Sequence, residues 1–174
     1  METNKNLVFL GMMGSGKTTL GKIISKKLNK KFIDIDQIIE IQEGMKISEI
    51  FEKKGESFFR RLEEKTSLLN LKKRNSVISL GGGAFLNKKI QKEILKNHIS
   101  IWLKWDNKNL IYRIKNSQKR PIAIKLNDTG LNKLINERSK IYSKAKYQIK
   151  CDRLTKLELM ERIIKLNDKG WVRS

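Results

Sequence analysis

The run Gly11-Met12-Met13-Gly14-Ser15-Gly16-Lys17-Thr18 fits the pattern G-x-x-x-x-G-K-[ST], whose chemistry is the holding of phosphate. Glycines at these places let the backbone turn with positive φ and approach an anion with no Cβ in the way. Successive backbone N–H groups of Gly14, Ser15 and Gly16 then form an anion nest, and Lys17 reaches the β- and γ-phosphates. The Thr18 hydroxyl is placed for Mg²⁺, with Thr19 beside it at the start of the same helix.

Further along stand side chains suited to an acceptor. Asp34 and Asp36, read as two positions on one strand, point to one face, where carboxylates serve Mg²⁺ or an acceptor hydroxyl. An acidic helix N-cap would look the same. Arg60 and Glu63 fall on adjacent turns of a helix and can pair, holding the guanidinium for an incoming carboxylate, although ordinary exposed pairs share that spacing. Gly81-Gly82-Gly83 ends a strand and fits either close approach of a ligand or a tight turn. Arg120 precedes Pro121, the chain's one proline, in a segment from 116 to 128 without apolar periodicity. That segment suits a lid or a solvated connector. Arg138 sits within the apolar stripe Leu131, Leu134, Ile135, Tyr142, and burial there demands an anionic or hydrogen-bonding partner, internal or bound.

The elements that must position these residues follow from hydrophobic period. Strands are expected at 7–10, 32–35, 77–80, 99–103 and 147–151, with helical patterns between them. This alternation predicts an α/β fold: a five-stranded parallel sheet with helices on both faces. Between the second and third strands, helices are expected over Asp36–Glu43 with Gly44 as C-cap, over Ser48–Lys54 stopping at Gly55, and over about Glu56–Lys73. Together these form an insertion, about 36–73, beside the sheet's carboxyl ends. A short helix from Asp106 to about Lys115 carries Arg113, and an amphipathic helix closes the chain over about Thr155–Leu166.

The chain has 174 residues, enough for one domain with a real core and short for two. The reading is a single domain, 1–174, with a lid at about 115–128. No run approaches the roughly 18 apolar residues of a membrane helix. The first strand begins too early to follow a signal peptide. The single cysteine, Cys151, excludes an internal disulfide and fits a reducing, cytoplasmic setting, as a small buried hydrophobe. A net charge of +21 could mean nucleic-acid binding. Here the lysines are scattered over every predicted helix without interleaved aromatics, so solvated faces account for them better, and no nucleic-acid partner is expected. His98, Trp102 and Trp105 are read as a surface histidine and strand-end aromatics.

Taken together the motifs resemble those of the shikimate kinase family. The glycine loop, Asp34-x-Asp36, Phe59-Arg60-Arg61-x-Glu63, Gly81-Gly82-Gly83, Arg120-Pro121 and Arg138-x-x-x-Tyr142 stand in that family's order, from Leu7 to about Cys151. The resemblance implies transfer of the ATP γ-phosphoryl group to the 3-hydroxyl of shikimate, with Mg²⁺, in aromatic amino-acid biosynthesis. It implies that Asp36 bonds the acceptor hydroxyls and acts as base. Asp34 and Thr18 would serve Mg²⁺, and Arg60 and Arg138 would clamp the shikimate carboxylate with Gly81, Gly82 and Gly83 against the ring. Arg120 would reach the transferring phosphate, and Arg113 would pack on adenine. A monomer is expected. The segment 151–155 is short and lacks the proline of the family pattern. Gluconate and nucleoside-monophosphate kinases share the glycine loop; the Arg60 and Arg138 pair, predicting a carboxylate acceptor without a phosphate, separates them.

Overall fold

The computed structural model describes residues 5–116 and 126–169, with side chains to residue 166. Five parallel strands form one sheet: β1 (Leu7–Leu10), β2 (Lys31–Asp34), β3 (Ser76–Ser79), β4 (Ile99–Lys104) and β5 (Tyr147–Lys150). Their order is β2-β3-β1-β4-β5, so β1 lies at the centre with β3 and β4 beside it. In such a sheet the crevice at the carboxyl ends of the central strands is where ligands bind. The expected strands are all present, with ends shifted by a residue or so.

The helices are α1 (Lys17–Lys27), α2 (Ile35–Glu43), α3 (Ile47–Leu71), α4 (Lys88–Asn97), α5 (Asn107–Lys115), α6 (Asp128–Tyr142) and α7 (Lys156–Lys169). A single 3-10 turn, Ala84–Leu86, precedes α4. The two helices expected on either side of Gly55 run together as α3, broken at Gly55 where φ is 80°. Gly44 caps α2 in the left-handed region, as its position predicted.

Alternation along the strands divides the core in two, as the two-residue period requires. Val8, Leu10, Ile78, Leu80 and Trp102 face one side, packed with Ile39 of α2, Phe59 of α3 and Ile135 of α6. Leu7, Phe9, Val77, Ile101 and Leu103 face the other, against Leu20 and Ile24 of α1 and Met160 and Ile163 of α7. Each such buried side chain contributes about 1.5–3 kcal/mol, so both helical layers are held without help from the surface charge. Cys151 belongs to the second cluster; burial pushes its thiol up to about 12, so it is an inert hydrophobe.

One polar residue sets the insertion against the sheet. Asn6 is fully buried; its Nδ2 donates to the carbonyls of Leu71 (3.0 Å) and Lys73 (2.5 Å), and its Oδ1 accepts from Ser76 N (3.0 Å). It therefore ties the end of α3 to the starts of β1 and β3. This residue carried no signal in the sequence.

One alternative is decided and one expectation overturned here. Of the two readings left open for Asp34 and Asp36, the helix N-cap holds and the shared strand does not. β2 ends at Asp34, whose Oδ1 accepts from Gln37 N (3.2 Å) and starts α2, leaving Asp36 in the first helical turn. His98 is also no surface residue: its side chain is only 7% exposed, between α4 and β4.

Candidate active site

The phosphate end is built where β1 runs into α1. Gly16, the N-cap of α1, has φ 92°, and Gly11 at the strand's exit has φ 142°, conformations that L side chains rarely adopt. Lys17 is buried, and its Nζ donates to the carbonyls of Gly11 (2.8 Å) and Met12 (2.9 Å), so the loop wraps its own lysine. Gly14, Gly16, Thr18, Thr19 and Asp36 line a cavity of about 400 Å³ here. Thr18 Oγ1 donates to Asp34 Oδ2 at 2.6 Å. The two oxygens expected to serve Mg²⁺ are thus adjacent.

Two contacts hold carbonyls of the loop. Arg113 Nε donates to the Gly14 carbonyl (2.9 Å), and Trp105 Nε1 donates to the Ser15 carbonyl (3.0 Å). The Arg113 guanidinium lies over the Trp105 ring, 4.2 Å from its centroid. Trp105 therefore does have partners beside the phosphate loop. Sequence reasoning missed it because nothing in a tryptophan's position one residue past a strand tells which carbonyl its N–H will find. Trp102 is core, packed against Tyr142 with centroids 5.9 Å apart.

A second cavity, about 520 Å³, opens between α3 and α6. Arg60, Glu63, Gly83 and Arg138 line it, with Leu134 and Ile141 as apolar wall. Arg60 Nη1 donates to Glu63 Oε2 at 2.7 Å, and its Nε and Nη2 donate to Glu56 Oε1 at 3.2 and 3.1 Å. The pairing expected from the three-residue spacing is present, and the Glu63 half of it is buried. Burial opposes charge on both partners. On Arg60 the two carboxylates outweigh it and raise the pKa; on Glu63 burial, aided by Asp36, outweighs the guanidinium and holds the carboxyl above the usual range.

Arg138 is only 7% exposed. Its Nη1 lies 3.5 Å from the Gly82 carbonyl and 3.7 Å from Met12 Sδ, while its buried Nε has no hydrogen-bond partner. Among the described residues no carboxylate lies at ion-pair distance from it. Its charge is nonetheless felt by the buried Glu63 carboxylate, so the internal partner the sequence left open is a neighbour of this arginine and not an ion pair with it. Tyr142, one turn on, donates its hydroxyl to the same Gly82 carbonyl, and burial raises its phenol to about 12, so it stays a donor.

The glycine triplet joins the two cavities. None of Gly81, Gly82 and Gly83 has a left-handed φ; what they supply is room. A Cβ on Gly81 would stand 2.5 Å from Glu63 Oε1 and 2.6 Å from Asp36 Oδ1, and one on Gly83 would stand 2.9 Å from Arg60 Cζ. Close approach, not turn geometry, accounts for the run. Lys17, Asp34, Asp36, Arg60, Arg138 and the triplet thus meet at the carboxyl ends of β1, β2 and β3. Arg113 reaches the loop from α5, whereas Arg120, with Pro121 and most of the expected lid, lies outside the described residues.

A family model described as shikimate kinase matches residues 13–167. The chain belongs to the shikimate kinase family. Membership makes it a small-molecule kinase, with ATP as phosphoryl donor and shikimate as acceptor. The shikimate kinase of Sulfurihydrogenibium sp. (strain YO3AOP1) is 41% identical over 160 residues, covering 92% of this chain and 96% of that one. Among solved structures, shikimate kinase from Acinetobacter baumannii in complex with shikimate superposes with a TM-score of 0.90 at 27% identity, covering 99% of this chain and 97% of that one. The Aquifex aeolicus shikimate kinase gives 0.84 at 32% identity, covering 95% and 98%.

Proposed function

We propose that the two cavities seat ATP and shikimate on either side of Asp36 and Gly81, and that the chain transfers the γ-phosphoryl group to the 3-hydroxyl, yielding shikimate 3-phosphate and ADP. The observation that carries the assignment of residues is the convergence of Arg60 and Arg138 on the Gly82–Gly83 segment, in one cavity, next to the carboxylate of Asp36. The cavity wall mixes apolar side chains with the carboxylates of Glu56, Glu63, Glu64 and Glu137, so an anion is received there only at the two planar guanidiniums, which suit a carboxylate bound through both its oxygens.

Phosphoryl transfer asks for positioning and charge neutralisation more than covalent help. Asp36 holds the 3-hydroxyl and takes its proton as that oxygen attacks the γ-phosphorus; the bond to the β–γ bridging oxygen breaks, and its electron pair leaves with ADP. Lys17 and the N–H groups of Gly14, Ser15 and Gly16 hold the phosphates, with Thr19 on the same first turn. Arg113 packs on the adenine. Arg120 is assigned to the transferring phosphate on its place in the sequence.

Thr18 and Asp34 fit a hard divalent cation: their oxygens lie 2.6 Å apart beside the phosphate cavity. No group of three or more His, Cys, Asp or Glu stands together among the described residues. Mg²⁺ needs few protein ligands, because it keeps several waters and takes others from phosphate. Bound there, Mg²⁺ neutralises charge on the phosphate oxygens.

The wider reading is a single kinase domain over 1–174, with its acceptor insertion at about 36–73 and lid at about 115–128, working as a cytoplasmic monomer without nucleic acid. No helix among the described residues is long and apolar enough to cross a membrane. ADP release coupled to a lactate dehydrogenase readout, run with shikimate, gluconate and nucleoside monophosphates, tests the assignment. Turnover with shikimate alone is expected; turnover only with the others would overturn it.

A further inference from the structure

We propose that Trp105 is the positioning residue of the nucleotide site: it fixes the phosphate loop and Arg113 as one rigid unit. The proposal rests on the nucleotide reading above.

Trp105 follows the last residue of β4, so its backbone is anchored by the sheet, and its ring packs against both halves of the core. From that fixed base it makes two contacts in different directions. Its N–H holds the Ser15 carbonyl at 3.0 Å, and its face carries the Arg113 guanidinium at 4.2 Å. Arg113 in turn holds the carbonyl of Gly14, the preceding residue, at 2.9 Å. Two consecutive loop carbonyls are thus held by the two members of one cation–π pair, of which Arg113 also lines the phosphate cavity.

The consequence lies in the peptide plane. In a trans peptide the C=O and the following N–H point in opposite directions. Drawing the Ser15 carbonyl toward Trp105 therefore turns the Gly16 N–H to the other side, and Gly16 lines the phosphate cavity. Gly16 has φ 92°; its carbonyl is held by Leu20 N (2.9 Å), and Ser15 N is held by the Met12 carbonyl (3.2 Å). The indole fixes the one group between them that neither bond reaches, the Ser15 carbonyl, and with it the plane of the Ser15–Gly16 peptide. The cation–π contact does the second task, keeping the Arg113 guanidinium over the ring with its Nε on the loop, so base and phosphates are registered to each other before nucleotide arrives.

The test uses the full chain and isothermal titration with ATP, beside steady-state kinetics. Trp105→Phe keeps a ring under Arg113 and loses the N–H; loss of one hydrogen bond is expected to weaken ATP binding about fivefold. Trp105→Leu loses ring and N–H together, and a further factor of about 2–5 is expected from the cation–π contact. In both variants the KM for shikimate stays within about twofold, which general damage to the fold would not allow. ATP affinity unchanged in Trp105→Phe, or a shikimate KM rising in step with that for ATP, overturns the proposal. If Trp105→Leu does not fold, Trp105→Phe decides alone. Failure of the unaltered chain to bind ATP would instead bring down the nucleotide reading itself.

Discussion

Alanine placed at each of the three consecutive glycines should separate the two halves of the reaction. None of the three has a left-handed φ, so alanine meets no backbone strain there, and only Gly82→Ala, whose Cβ finds ordinary contacts, is expected to keep or slightly raise the parent's stability. What differs is the neighbour each Cβ meets. At Gly81 it would meet Asp36 Oδ1 at 2.6 Å and Glu63 Oε1 at 2.5 Å; ordinary contact starts at 3.4 Å, so the carboxylates must retreat by 3.4 − 2.6 = 0.8 Å and 3.4 − 2.5 = 0.9 Å. A displacement of about 1 Å in a reacting group can cost about 10²-fold, so Gly81→Ala should lower kcat by roughly that factor. At Gly83 the Cβ would lie 2.9 Å from Arg60 Cζ, pushing the guanidinium from the cavity. Loss of one charge-assisted hydrogen bond, about 1.5–3 kcal/mol, should raise the shikimate KM roughly 10–100-fold with the ATP KM unchanged. At Gly82 the nearest atoms are Met13 N at 3.4 Å and Arg138 Nη1 at 3.5 Å, ordinary contacts, so Gly82→Ala should behave nearly as the parent. The assay is ADP release over a grid of ATP and shikimate concentrations. Equal losses at all three positions, or Gly82→Ala the most damaged, would refute the reasoning.

Other perturbations follow from single contacts. Asp34→Asn keeps one acceptor oxygen for Gln37 N, puts an amide NH2 where Oδ2 met Thr18 Oγ1 (whose hydroxyl can then accept), and removes the charge, so the Mg²⁺ concentration for half-maximal rate should rise severalfold; an unchanged Mg²⁺ dependence would remove Asp34 from the metal site. His98 is the chain's one histidine, and burial, opposed in part by Glu93 and assisted by Lys5 and Arg74, holds its pKa below the ordinary value. The folded state therefore prefers it neutral, so its contribution to stability is present above about pH 6.5, its unfolded pKa, and is lost as pH falls through the depressed one. Glu63, raised, contributes with the opposite sign, so the comparison of interest is with a variant: the fall in Tm from pH 7 to pH 5 should shrink in His98→Leu, and an identical fall would refute the effect.

Much of this site was legible in the chain because its chemistry is local in sequence. The glycine loop is one short strand-to-helix connection, and the Arg60–Glu63 spacing and the Arg138–Tyr142 turn each lie within one helix, where period and residue type fix the geometry. Asp34 and Asp36 leave two readings open in the sequence because a carboxylate that ends a strand and one that caps a helix share the same residue type; the bond to Gln37 N decides for the cap. Trp105 and Asn6 escaped notice for another reason. Their partners, Ser15 and Leu71, lie 90 and 65 residues away, and a lone indole or amide carries no record of which distant carbonyl it meets. His98 looked exposed because it stands in a polar run, Lys96-Asn97-His98, at a helix end, yet it turns inward where α4 meets β4.

The selection of a carboxylate by two guanidiniums is the claim on which the rest depends. It is tested most directly by comparing kcat/KM for shikimate with that for its neutral methyl ester, in the unaltered chain and in Arg60→Lys and Arg138→Lys. The acid should be preferred by at least about 10²-fold, as expected when a site built to bond a group meets an analogue lacking it. Either lysine variant should shrink that preference mainly through KM. Equal turnover of acid and ester by the unaltered chain, or a preference untouched in both variants, would contradict it.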